Sequence, residues 1–255
     1  MARVVAISNQ KGGVGKTTTA VNLAASLAVA EQRVLLLDVD PQGNATSGVG
    51  SRRDRENSLY PVLFHERPLP EVIQSTDLPF LDVVPACRDL SGVEVELVDE
   101  EDRVCRLRDA LETVKPRYDF IFVDCPPSLG ILTLNALVAA DVVLVPMQAE
   151  YYALEGLSDL TDTIERVRGS LNPQLRLHGV LLTMFDARNN LANQVADEVR
   201  KHFHVFDTVI PRNIRLAEAP SHGRPVILYD ATSRGSHGYL SLAREILDRP
   251  PEAVA

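Results

Sequence analysis

The stretch Lys11-Gly12-Gly13-Val14-Gly15-Lys16-Thr17-Thr18 decides how this chain is read. An apolar run, Val4-Val5-Ala6-Ile7, precedes it, and an amphipathic one, Thr19 to Ala30, follows. That order reads as strand, glycine loop, helix. Glycines carry no side chain, so backbone N–H groups can turn inward and surround phosphate oxygens. The N-terminus of the following helix adds N–H donors and a partial positive charge. Lys16 is placed to reach the outer phosphates, and the Thr17 hydroxyl to ligate Mg²⁺. A nucleoside triphosphate is the ligand that suits this geometry.

The loop departs from the common phosphate-loop pattern at one place. That pattern has glycine five residues before Gly15, where this chain has Gln10. A second lysine, Lys11, opens the loop instead. A cation there lies beside a pocket already supplied with Lys16.

The surrounding sequence predicts an α/β fold with a mostly parallel central sheet and helices on both faces. Short runs rich in Val, Ile and Leu predict strands at Arg3–Ser8, Arg33–Asp38, Leu81–Pro85, Phe120–Asp124, Val142–Pro146, Leu177–Thr183 and Thr208–Ile210. Helices are predicted between them at Thr17–Ala30, Arg103–Lys115, Ile131–Ala139, Gly156–Val167, Leu191–Phe203 and Gly238–Leu247. Residues 51–70 read as an irregular insertion with a short helix or two. The expected organisation is one domain over residues 1–250, with a frayed tail over 251–255. Ligands of such sheets bind outside the carboxyl ends of the strands.

Bulk properties narrow the class. The 255 residues are 45% hydrophobic and 24% charged, enough for a substantial core. No apolar stretch approaches the ~20 residues that span a bilayer, and the start carries no signal-peptide pattern. Cys87, Cys105 and Cys125 form no Cys-x-x-Cys pair. Together these predict a cytoplasmic protein. A net charge of −9 argues against general nucleic-acid affinity but allows a local basic patch.

Two carboxylate segments fall at predicted strand ends. In Leu36-Leu37-Asp38-Val39-Asp40-Pro41-Gln42-Gly43-Asn44, Asp38 closes a strand and Asp40 begins a loop. Carboxylates beside a nucleotide can bind Mg²⁺ or orient an attacking water; the same residues also suit Asx-turn chemistry. In Phe120-Ile121-Phe122-Val123-Asp124, four apolar residues and an aspartate have the Walker B form, whose acid holds Mg²⁺.

Taken together, Lys11–Thr18, Asp38-Val-Asp-Pro-Gln-Gly-Asn44 and Asp124-Cys-Pro-Pro-Ser128 resemble the deviant Walker A ATPases of the ParA/MinD class. Glu150-Tyr-Tyr-Ala-Leu-Glu-Gly156, Gly179–Arg188 and Ile210–Gly223 are similar to the chromosomal ParA (Soj) branch. The resemblance runs from Arg3 to about Leu247 and implies a P-loop NTPase fold. It implies that Gly12, Gly13, Gly15, Lys16, Thr17 and Thr18 hold phosphates and Mg²⁺, that Asp40 positions the hydrolytic water and contributes to the Mg²⁺ site, and that Asp124 is the Walker B acid. Pro211 and Asn213 fall where the family contacts adenine. Lys11 would reach across a homodimer interface to the partner's ATP, so that nucleotide state and dimer state become one variable. Arg188 and Arg215 occupy positions where the family places DNA-contacting arginines, though Asp186 and Glu218 lie close by in sequence.

The function implied is an ATP-dependent dimerising switch for partition of a chromosome or plasmid. The ATP-bound homodimer binds double-stranded DNA without sequence preference on the nucleoid, and a ParB-like protein stimulates slow hydrolysis. The alternative is a MinD-like membrane-cycling ATPase, which uses a basic amphipathic C-terminal helix. Tyr239–Pro251 has no basic face, so no membrane partner is expected.

Overall fold

The computed structural model describes residues 2–150 and 153–248. The described residues form a seven-stranded sheet in the order β3-β4-β2-β5-β1-β6-β7. The strands are β1 (Arg3–Ile7), β2 (Val34–Asp38), β3 (Gln74–Ser75), β4 (Leu81–Val84), β5 (Phe120–Asp124), β6 (Val142–Met147) and β7 (Arg176–Leu182). Every pairing is parallel except the short β3–β4 ladder, which was not expected from the sequence.

Alternation along each central strand divides the core into two layers. Val4 and Ala6 of β1, Leu35 and Leu37 of β2, and Ile121 and Val123 of β5 belong to one apolar cluster. Val5, Ile7, Leu36, Phe120 and Phe122 belong to the other. Strands with both faces covered need continuous apolar runs, and that is what these short segments contain.

The longer helices are α1 (Lys16–Val29), α6 (Ile131–Ala139), α7 (Ala153–Ser170), α8 (Asn190–His202) and α11 (Arg234–Asp248). Shorter ones are α2 (Asn44–Gly48), α3 (Leu59–Leu63), α4 (Val93–Glu96), α5 (Arg106–Glu112), α9 (Ile214–Glu218) and α10 (Val226–Tyr229). Helix α1 packs against α11, where the buried Thr19 and Tyr239 hydroxyls lie 3.1 Å apart.

Three expectations need correction. Thr208–Ile210 is not a strand. The segment runs beside β7 through the isolated pairings Val180–Val205 and Phe185–Pro211. The Asp207 and Thr208 N–H groups instead donate to the Glu245 carboxylate at 2.8 and 2.9 Å, which interrupts a ladder. The helix expected over Arg103–Lys115 is confined to Arg106–Glu112, and Lys115–Arg117, which contains Pro116, forms a 3₁₀ turn. The last helix starts four residues earlier than expected, at Arg234, where the Ser233 hydroxyl accepts from Ser236 N–H. Tyr151, Tyr152 and the expected tail at 251–255 lie outside the described residues.

Candidate functional site

The parallel order brings the carboxyl ends of β1, β2, β5, β6 and β7 to one edge, and the sequence motifs meet there. Strand β1 leads into Asn9, which is buried and pins the loop from both sides. Its amide donates to Pro146 O at 2.8 Å, and its side-chain oxygen accepts from Lys11 N–H at 2.9 Å. Gly13 and Gly15 have φ of 74° and 88°. A β-carbon costs roughly 1–2 kcal/mol in that region, so glycine is favoured at both turns.

Gly15 caps α1 without a side chain, and no side-chain cap is formed. Among the described residues, the N–H groups of Gly15, Lys16, Thr17 and Thr18 have no protein acceptor. These are the donors that a helix start leaves open. Added β-carbons at Gly12 and Gly13 would meet nothing within 4 Å, so the loop borders open space. An anion fits this donor set.

Lys16 is only 7% exposed. Its ammonium donates to Lys11 O at 2.9 Å, across the loop. Burial lowers its pKa, and nearby Asp124 and Asp40 oppose that shift. Lys11 is held differently. Its ammonium is on the surface, paired with Glu150 at 2.6 Å, with the two side chains 42% and 52% exposed.

The three aspartates have separate surroundings. Asp38 is fully buried and saturated: its carboxylate accepts from Asp40 N–H at 3.2 Å, Thr46 N–H at 2.7 Å and the Thr46 hydroxyl at 2.8 Å. Burial raises its pKa to about 6, against those hydrogen bonds. Asp38 is thus engaged in shaping the turn. Asp40 accepts from Gln42 N–H at 2.9 Å, and its carbonyl accepts from Gly43 N–H at 2.8 Å. This Asx-turn fixes Asp40 in place. Asp124 stands beside Asp38 in the β2–β5 register. It is fully buried, and neither carboxylate oxygen has a hydrogen-bond partner among the described residues. The Thr17 hydroxyl is near enough to lower its pKa, but the contact lacks hydrogen-bond geometry. Burial first, and Asp38 second, hold this pKa well above the carboxylate range. A buried, unpartnered carboxylate next to a threonine hydroxyl fits a cation bound between them, since Mg²⁺ takes one or two protein oxygens and fills its shell with phosphate and water.

Pro211 lies beside Phe185, at the end of the segment that flanks β7. Asn213 caps α9 by accepting from Arg215 N–H at 2.9 Å. The Phe185–Pro211 pairing draws the Arg188 loop towards the start of α9, which carries Arg215. Neither arginine is a free charge. Arg188, with a side chain 91% exposed, pairs with Asp186 at 3.0 Å, and Arg215 pairs with Glu218 at 2.8 Å and Asp230 at 3.2 Å.

Sequence reading missed Asn9, Thr46, Gln148, Glu150 and Thr183. Gln148 Nε2 donates to Gly13 O at 2.8 Å, and the buried Thr183 hydroxyl donates to Val14 O at 2.7 Å. One signal was available: Asn9, Gln148 and Thr183 are polar residues just beyond apolar strands, where ligands of parallel sheets collect.

A parallel sheet that delivers an uncapped glycine loop, a buried lysine and a buried unpartnered aspartate to one edge defines the P-loop nucleotide-binding class. Comparison with known proteins narrows this. Residues 2–177 match the AAA domain family. The chromosome partitioning protein ParA of Myxococcus xanthus is 58% identical over 252 residues, covering 98% of this chain and 89% of that protein. The sporulation initiation inhibitor protein Soj of Bacillus subtilis is 56% identical over 249 residues, covering 96% and 98%. A solved structure of cobyrinic acid a,c-diamide synthase from Mycobacterium smegmatis with bound ADP and magnesium is 36% identical, with a TM-score of 0.85, covering 97% of this chain and 94% of that one. The chain belongs to the ParA/Soj family of chromosome-partitioning ATPases. Among the described residues, no helix is long and apolar enough to cross a membrane.

Proposed function

We propose that this chain is an ATP-driven dimerising switch that partitions DNA. ATP and Mg²⁺ are its ligands. The Lys11–Thr18 loop binds the phosphates through its open N–H groups and Lys16, while Thr17, Asp124 and Asp40 serve the Mg²⁺ site. When bound, Mg²⁺ neutralises phosphate charge and helps to draw off the leaving group. Asp40, fixed by its turn, orients the attacking water. Pro211 and Asn213 border the adenine. Lys11 leaves Glu150 and completes the site of a second copy, where its charge stabilises the transferring phosphoryl group.

In the ATP-bound homodimer, Arg188 and Arg215 of both copies form one basic surface for double-stranded DNA. Pairing doubles the number of phosphate contacts, which offsets the overall acidity. Hydrolysis is slow and is accelerated by a ParB-like protein, after which the dimer and the DNA contact are lost. The work is done by a population shift rather than by rapid turnover. Residues 1–250 act as one ATPase domain, located on the nucleoid in the cytoplasm.

The observation that carries this reading is the contrast between the two lysines: Lys16 is buried beneath an uncapped helix start, and Lys11 is exposed on a replaceable surface ion pair. Arg188→Glu tests the arrangement. ATP-dependent dimerisation, followed by analytical ultracentrifugation, should persist while DNA binding is lost. Loss of both together would contradict the assignment of Arg188 to DNA.

A further inference from the structure

Two carbonyls of the glycine loop are held by side chains from outside it. Gln148, just beyond β6, donates to Gly13 O at 2.8 Å. Thr183, just beyond β7, donates to Val14 O at 2.7 Å and is only 3% exposed. A trans peptide is planar, with its C=O and N–H pointing opposite ways. Fixing Gly13 C=O towards Gln148 therefore aims Val14 N–H away from it. Fixing Val14 C=O towards Thr183 aims Gly15 N–H away in the same manner. Gly15 N–H is one of the donors without a protein acceptor among the described residues. The loop needs such anchors because Gly13 and Gly15 adopt left-handed backbone that glycine leaves just as readily, and ordering a free glycine loop costs about 1–2 kcal/mol per residue.

Both anchors are themselves supported. The Thr183 methyl and hydroxyl lie within 3.9 Å of the place a Gly15 β-carbon would occupy, so the side chain packs on the loop as well as bonding it. Thr183 N–H donates to Met147 O at 2.8 Å, tying the ends of β6 and β7 together. Gln148 Nε2 also lies 3.4 Å from Met184 Sδ, so it touches the residue next to Thr183.

We infer that Thr183 and Gln148 are positioning residues for nucleotide: they orient the Gly13–Val14 and Val14–Gly15 peptides so that N–H groups face the phosphates before ATP arrives. They act through the backbone and touch no reacting atom. The inference rests on the reading of Lys11–Thr18 as the phosphate loop.

Thr183→Val keeps the shape and removes the hydroxyl, Thr183→Ser keeps the hydroxyl, and Gln148→Leu removes the second donor. Two measurements report on them: the dissociation constant of a fluorescent ADP probe, and amide hydrogen exchange of residues 12–18 in nucleotide-free protein. Thr183→Val and Gln148→Leu should each weaken probe binding roughly tenfold, the loss expected for one hydrogen bond, and should speed exchange in the loop. Thr183→Ser should bind within about threefold of the parent. Probe binding and loop exchange unchanged in both Thr183→Val and Gln148→Leu would overturn the inference. So would a loss in Thr183→Val that Thr183→Ser does not restore, because shape rather than the hydroxyl would then matter. Failure of the parent protein to bind the probe would instead overturn the phosphate-loop reading itself.

Discussion

Lys11 and Lys16 differ in what holds them, and that difference predicts different responses. The Lys11–Glu150 pair is exposed, so it is worth about 0–1 kcal/mol. It nevertheless occupies the charge that a second subunit would need. Glu150→Gln should therefore lower the ATP concentration for half-maximal dimerisation, by up to about fivefold, as measured by light scattering. A higher requirement would mean that Glu150 assists pairing rather than competing with it. Asp40 permits another test. Its carboxylate is fixed by Gln42 N–H and, among the described residues, makes no hydrogen bond to the glycine loop. Asp40→Ala should leave nucleotide binding nearly intact and slow phosphate release by roughly 10²-fold or more, the usual effect of losing a positioned base or water-orienting group. Unchanged release would remove Asp40 from the mechanism.

At the scale of elements, the sheet edge beyond β7 responds to acid. His178, on β7, packs edge-on against Phe206, and its Nε2 is buried without a partner among the described residues. Burial first, then Arg3 and His204, lowers its pKa from 6.5 to about 4, with Glu245 opposing. Above about pH 6.5 the ring is neutral in both folded and unfolded chains and adds no pH dependence. Between about 6.5 and 4 the unfolded chain binds a proton that the folded chain does not, so stability falls as pH falls. Below about 4 both forms are protonated and the loss stays constant, at about 2 kcal/mol once partial exposure is allowed for. His178→Leu should flatten this part of the acid limb in denaturant melts. An acid limb of unchanged slope would show that other groups set it. The core between α1 and β5 gives a plainer test. Phe122 is fully buried between its strand neighbours, so Phe122→Ala should cost about 3–5 kcal/mol in unfolding free energy.

The same elements show what can be read from a sequence. Strands buried on both faces announce themselves through unbroken apolar runs, so β1, β2, β5 and β6 were legible. The glycine loop was legible because its backbone demands specific residues. The Thr208–Ile210 segment was not, because a carboxylate 37 residues away, Glu245, takes the Thr208 N–H that a strand would have used. Gln148 and Thr183 stand visibly at strand ends, but what they bind is not legible, for the same reason: their partners lie 135 and 169 residues distant. Sequence motifs record the residues that must be of one type locally. They do not record which distant side chain will meet a carbonyl.

On the scale of the whole molecule, a net charge of −9 opposes the proposed DNA binding. The arginines assigned to DNA are already paired with Asp186, Glu218 and Asp230, so each phosphate contact has to displace an internal partner. On the proposed function, a single copy should therefore bind DNA weakly, and a paired one better. Replacing Arg188 and Arg215 in both subunits removes about four phosphate contacts per dimer, which should flatten the slope of log affinity against log salt by about 3–4. The central claim is that nucleotide governs DNA binding, and the most direct measurement is the affinity of the protein for a labelled DNA duplex at fixed salt with ATP, with ADP and without nucleotide. Tight binding with ATP alone, abolished by Lys16→Ala, is the predicted result; equal binding under all three conditions would contradict the account.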